Sequence, residues 1–247
     1  MKVSHLSFKI GQKTLLHDMS FEIPKASLFA ILGANGAGKT LLLRCLAGLS
    51  KASGGTIEYE SEGQMSWVPL SQSLPFDFRV LDLVIMGRFP KHQGFPQKGD
   101  QDAALDAIRR CQIDELSDRN YNSLSRGEQT KVDIARAIAS ETKLILLDEP
   151  FSNLDIDAVL QMTALFKSLR AEGRTLIFSH HDLFTTRNLA TDLLILKKGR
   201  VLDSGPLRKV FAASTIEKAY NVQAIFHEDG GHQYLRFESR QTSLRPD

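Results

Sequence analysis

One run of eight residues, Gly33-Ala34-Asn35-Gly36-Ala37-Gly38-Lys39-Thr40, constrains this chain more than any other because of where it stands. It follows Leu28-Phe29-Ala30-Ile31-Leu32, a continuous apolar run of strand length. It precedes a segment in which Leu41, Leu42, Cys45, Leu46 and Leu49 recur at helical spacing. Glycines at such a junction let successive backbone N–H groups converge on one point, and the helix N-terminus adds partial positive charge. The run fits G-x-x-x-x-G-K-[ST] without mismatch, in the strand-to-helix setting the pattern demands. It predicts a phosphate cradle, with Lys39 a point charge for β- and γ-phosphates and the Thr40 hydroxyl a ligand of Mg2+. ATP and Mg2+ are therefore the expected cofactors. The plainer reading is a glycine-rich turn that only joins strand to helix.

The rest of the chain alternates in the same way. Residues 2–10 and 19–23 alternate apolar and polar side chains on either side of Gly11-Gln12-Lys13, as strands joined through a turn do. Gly54-Gly55 reads as a turn before a strand at Thr56-Ile57-Glu58-Tyr59. From about residue 74 to residue 140 the texture is helical, with helices at Val80–Met86 and Asp102–Cys111 and a Pro- and Gly-punctuated loop over residues 90–99 between them. Strand character returns at residues 143–148, 175–179 and 193–196, with helical stretches between. Strands alternating with helices argue for a mostly parallel sheet covered on both faces. Thr215–Tyr220 reads as a helix, and two alternating runs flanking Asp229-Gly230-Gly231 read as a hairpin.

A second element is Leu144-Ile145-Leu146-Leu147-Asp148-Glu149, an apolar strand delivering two carboxylates at its C-terminal end, where open α/β sheets place ligands. Asp148 would hold Mg2+ and Glu149 would polarise the attacking water as general base. By itself an acidic pair after a strand also suits a turn or helix cap; beside the phosphate loop the balance reverses.

Charge and composition exclude some classes. The 31 basic and 29 acidic residues leave a net charge of +2, which argues against non-specific nucleic-acid binding. Cys45 and Cys111 are too few for a thiolate metal site and read as free thiols. The first residues lack the apolar run of a signal peptide, and no window approaches a membrane span. Any membrane role is expected to be played from the water phase.

A third element is Leu124-Ser125-Arg126-Gly127-Glu128-Gln129, where Ser125 and Gly127 at a helix start make a second anion site. This stretch, with Val132–Ala139 after it, resembles the signature motif of ATP-binding cassette (ABC) ATPases. Matches run from about residue 3 to residue 205. The resemblance implies a P-loop NTPase of α/β class: a RecA-like mostly parallel sheet, an N-terminal antiparallel β subdomain and an inserted α-helical subdomain. The expected division is an ABC ATPase domain at 1–212, with its catalytic core at 1–73 and 141–212 and its helical subdomain at 74–140, followed by an accessory helix and hairpin at 213–247. The resemblance also implies a head-to-tail homodimer in which Ser125 and Gly127 of one copy complete the ATP site of the other. Ser152-Asn153-Leu154-Asp155 looks like the family's D-loop, and alignment places His181, rather than His180, at the switch histidine facing the γ-phosphate.

Three departures from the family pattern stand out. Ile10 occupies a position often aromatic and stacked on adenine, so stacking is lost or passes to Phe8 or another side chain. Leu70 follows Pro69 where the Q-loop glutamine is usual; Gln72, two residues on, either reaches Mg2+ and water or is an exposed loop residue. Arg126 and Glu128 replace a usual glycine and a common glutamine.

Residues 74–90 and Ala219-Tyr220-Asn221-Val222 are similar to stretches of the importer ATPases for iron-siderophore, haem and cobalamin. Free zinc and manganese importers share parts of the match. The resemblance implies an ATPase coupling dimer closure to metal-chelate import, located peripherally on the cytoplasmic face of the cell membrane. Its partners would be separate permease subunits and, indirectly, an extracytoplasmic solute-binding protein. The other readings are free metal ion import and a soluble ABC ATPase without transport role, such as an assembly or repair scaffold.

Overall fold

A computed structural model describes residues 1–59, 65–70, 74–92, 97, 99–229 and 232–239. β1 (Lys2–Ile10) and β2 (Lys13–Glu22) pair antiparallel, and β2 begins directly after the turn, earlier than its alternation indicates. Pairing of Lys9 with Thr14 and Phe8 with Leu16 recruits that backbone whatever its side-chain pattern. β3 (Leu28–Leu32) is wholly buried and runs through the glycine-rich loop into α1 (Lys39–Leu46). β4 (Gly54–Glu58) completes a three-stranded sheet of order β2-β1-β4. Gly54 and Gly55, expected to turn the chain, instead open this strand, because Ser7 of β1 takes Gly54 as its partner.

After β5 (Met65–Val68) comes the helical insertion, α2 (Val80–Met86), α3 (Phe89–His92), α4 (Asp100–Arg110) and α5 (Arg126–Ala139). The single turn α3 corrects the expected loop at residues 90–99. Pro90 is tolerated there because a first-turn N–H has no intrahelical acceptor in any case.

The chain then returns to the sheet with β6 (Leu144–Leu147), α6 (Ile156–Ala171), β7 (Thr175–His180), α7 (Leu183–Leu189), β8 (Asp192–Lys197) and β9 (Arg200–Pro206). It closes with α8 (Leu207–Val210), α9 (Ala213–Tyr220) and the hairpin β10 (Val222–Asp229) and β11 (His232–Ser239). The central sheet has the order β5-β6-β7-β3-β8-β9, parallel except for β9.

This sheet separates two cores. Leu28, Ala30 and Leu32 of β3 face the helical insertion and α6, while Phe29 and Ile31 face α1 and the antiparallel sheet. Burial on both faces is why these strands are unbroken apolar runs. Both cysteines are buried and free, and burial pushes the Cys111 thiol up to about 12. Among the described residues no helix is long and apolar enough to cross a membrane.

Register decides what meets at the sheet's edge. Leu32 pairs with His180 and Leu147 with Phe178, so the first residues after β3, β6 and β7 emerge side by side. Those residues are Gly33, Asp148 and His181.

Candidate active site

Lys39 is only 6% exposed, and its ammonium donates to the Gly33 carbonyl at 3.0 Å and lies 3.5 Å from Glu149 Oε1. A buried ammonium demands such oxygen partners. Ala34, Asn35 and Gly36 are exposed at the crown of the loop, which the Ala37 N–H closes by donating to Ala34 O at 3.0 Å.

The acidic pair is held from β7. Ser179 Oγ donates to Asp148 Oδ1 at 2.6 Å and accepts the Glu149 N–H at 2.9 Å. Thr40 Oγ1 donates to the same Asp148 oxygen at 3.1 Å. Glu149 adopts φ 47°, a left-handed conformation uncommon for a residue with a side chain, and the Ser179 bond is one of the contacts that hold it. Sequence reasoning passed over Ser179. The available signal was a hydroxyl at the end of a strand otherwise apolar on both faces.

The two histidines have separate surroundings. His181 is exposed, with Nδ1 3.2 Å from Glu149 Oε2. His180 is buried against the Phe151 ring at 5.2 Å with neither ring nitrogen hydrogen-bonded, and burial lowers its pKa to about 4, so it is neutral at physiological pH. The Glu149 carboxylate thus lies between an ammonium and an imidazole.

Ser125 and Gly127 stand apart from this cluster and contact other groups. Ser125 caps α5: its hydroxyl and N–H both donate to Glu128 Oε2 at 2.7 Å, and the Glu128 N–H donates back to Ser125 Oγ at 3.3 Å. The Ser125 hydrogen bonds hold the Glu128 carboxyl below its ordinary pKa. Gly127 abuts the Asn153 carbonyl, 2.7 Å from where a Cβ would sit, so only glycine fits between this helix start and the Ser152–Asp155 loop. Asp155 in turn caps α6 by accepting the Ala158 N–H at 2.8 Å.

The model of the ABC transporter family matches residues 16–152, which span the loop, the Ser125 cap and the acidic pair. The chain belongs to the ABC transporter family. Among its relatives are a manganese transport system ATP-binding protein of Halalkalibacterium halodurans, 32% identical over 89% of this chain and 91% of the relative. A hemin import ATP-binding protein of Methylobacillus flagellatus is 30% identical over 94% of this chain and 93% of its own. A solved structure described as an inward-facing metal-chelate type ABC transporter superposes with a TM-score of 0.85 at 29% identity, covering 98% of each chain. As a member of this family the chain is an ATPase with the ABC ATPase fold.

Ile10 is 63% exposed, whereas Phe8 is partly buried against the core below it. Arg126 is exposed in the first turn of α5. Leu70 is exposed, and Gln72 lies outside the described residues. No group of three or more His, Cys, Asp or Glu among the described residues could hold a metal unaided. The adjoining Thr40 hydroxyl and Asp148 carboxylate do fit Mg2+, a hard cation that takes few protein oxygens and completes its shell with phosphate and water.

Proposed function

We propose that this ABC ATPase powers uptake of a metal chelate, such as an iron-siderophore, haem or cobalamin, through a separate permease. The observation that carries the reading is the reach of one likeness: coverage of 98% takes in the tail after residue 212 as well as the catalytic core. The hemin import relative supports the same class of cargo. The manganese transport relative favours a second reading, import of a free metal ion by the same machinery.

In this proposal Gly33, Ala34, Asn35, Gly36, Ala37 and Gly38 cradle the triphosphate with their backbone. Lys39 leaves the Gly33 carbonyl to neutralise the β- and γ-phosphates, and Thr40 and Asp148 hold Mg2+, which draws charge from the phosphate oxygens. Glu149 accepts the proton of the water that attacks the γ-phosphorus, and His181 orients Glu149 and contacts the γ-phosphate. Ser125 and Gly127 of a second copy complete the site, so ATP closes a head-to-tail homodimer. Closure moves the helical lobes and the permease docked on them at the cytoplasmic face, and phosphate release reopens the pair. A solute-binding protein delivers cargo from outside. Residues 1–212 form the ATPase unit, with 74–140 as its helical lobe.

Replacing Glu149→Gln keeps its shape and removes its basicity. Turnover is expected to fall at least about a hundredfold while ATP still binds, leaving an ATP-bound dimer visible by light scattering. A monomer with ATP and Mg2+ would sink the dimer model. Cargo is tested by reconstituting the chain with its permease and binding protein: ATPase stimulated by hemin or a ferric siderophore fits the leading reading, and stimulation by Mn2+ alone fits the second.

A further inference from the structure

Ser179, His180 and His181 follow one another at the end of β7, and two of them are tied to the acidic pair. Ser179 bonds Asp148 and the Glu149 N–H, and His181 Nδ1 lies 3.2 Å from Glu149 Oε2. His180 bonds neither. It is 3% exposed and pairs in register with Leu32 of β3, and neither of its ring nitrogens has a hydrogen-bond partner among the described residues. A buried imidazole in that state is costly, because its nitrogens have given up water and gained nothing in return. An apolar side chain would fill the same place without that loss.

Two rings flank this imidazole. On one side it meets Phe151, centroids 5.2 Å apart, and Phe151 is itself buried against Phe166 at 5.3 Å and Phe178 at 6.1 Å. The Ser152 N–H donates to Glu149 O at 3.2 Å, so Phe151 lies in the turn that follows Glu149 and is held there. Its ring offers no donor or acceptor of the kind an imidazole nitrogen needs. On the other side is the His181 ring, centroids 5.3 Å apart and tilted by 53°. Successive residues of a strand face opposite ways, but β7 ends at His180 and the two rings meet. His180 is wedged in the core and His181 is exposed, so His181 is the ring with room to turn. Rotation of the exposed ring can bring one nitrogen of each within hydrogen-bond reach.

The two nitrogens of a histidine are not equivalent, and the partner of one fixes whether the other carries the hydrogen. Burial lowers the His180 pKa to about 4, so at neutral pH this ring holds one N–H and one bare nitrogen. A neutral His181 likewise has a single hydrogen to give, and an ionised phosphate oxygen can only accept it. We propose that His180 is a positioning residue for His181: as His181 turns from Glu149 to the γ-phosphate, His180 donates its N–H to the His181 nitrogen facing away from the phosphate, which leaves the His181 hydrogen aimed at the phosphate oxygen. The proposal rests on the reading of Glu149 and His181 as the groups that face the γ-phosphate. It gives the bare imidazole a partner only when nucleotide is bound.

The test is a double-mutant cycle on the full-length chain: wild type, His180→Phe, His181→Ala and the pair together, with His180→Leu alongside because leucine is closer to histidine in volume. Without nucleotide both apolar variants should melt no lower than the wild type, since no hydrogen bond is lost there. With ATP, the kcat of His180→Phe should fall about threefold to tenfold while KM stays within about twofold, because the aimed hydrogen counts most as charge shifts during transfer. In the His181→Ala background the same substitution should change kcat by less than about twofold. Wild-type kcat in a folded His180→Phe or His180→Leu protein overturns the proposal and leaves the site reading standing. An equal fall in both backgrounds also overturns it, since His180 would then act without His181. If both apolar variants melt early, the imidazole is a structural group and the proposal fails. Wild-type turnover in His181→Ala removes His181 from the site, and this proposal with it.

Discussion

Lys39, Asp148, Glu149, Ser179 and His181 come from α1, β6, β7 and the loops after those strands, and each is held by partners distant in sequence: Thr40 reaches Asp148, Ser179 reaches Asp148 and Glu149, Lys39 and His181 reach Glu149. Ser125 and Glu128, by contrast, sit within one helical turn and hold each other. The phosphate-loop half is therefore built by strand register and is cross-braced within one copy. The Ser125 half is a local cap, and in the proposed dimer its hydroxyl would leave Glu128 to meet a phosphate. In the proposed binding both halves exchange partners, Lys39 leaving the Gly33 carbonyl and Ser125 leaving Glu128; they differ in that the first is braced by residues distant in sequence and the second within one helical turn.

The largest expected break in that comparison comes from a pair of variants. Lys39→Ala should lower the ATP affinity of the isolated subunit by about a hundredfold, while Ser125→Ala should leave it within about twofold. Equal losses by calorimetry would mean that Ser125 already contacts nucleotide within one copy. Next in size is Ser179→Ala, which removes the bridge between Asp148 and the Glu149 backbone. It should cut turnover about tenfold with little change in ATP affinity, and steady-state kinetics showing wild-type turnover would confine Ser179 to packing.

The smallest effect sharpens the local half. Because the folded state holds the Glu128 carboxyl below its ordinary value, its contribution to stability is full above that ordinary value. It is lost as pH falls through the lower, folded value. Glu128 is partly exposed, so screening limits the effect to about 0.5 kcal/mol. Glu128→Gln should abolish that acid-dependent step in thermal melts, and an undiminished step would assign it to another carboxylate.

Much of this molecule was legible along the chain where the determinants are local. The continuous apolar runs at residues 28–32 and 144–147 announce strands buried on both faces, and the structure buries nearly all of each. The helix start at Ser125 carries its own signal in the Ser-to-Glu spacing. Elements whose backbone is recruited by a neighbour were harder to see: the early start of β2, the extended Gly54-Gly55, and β5, which is parallel to β6 through Met65↔Leu144. Ser179 belongs to the same group, since it is defined by partners 30 and 31 positions away, Glu149 and Asp148.

The sequence by itself determined that a glycine-rich loop ending in Lys39 and Thr40 follows a buried strand, that two carboxylates follow another, and that a capped helix start carries Ser125 and Gly127, because each depends on residues adjacent in the chain. Only the tertiary structure decided that Ser179 braces both carboxylates and that His181 faces Glu149 while His180 is buried. Those relations follow from the parallel register of β3, β6 and β7, which no pattern of neighbouring residues encodes.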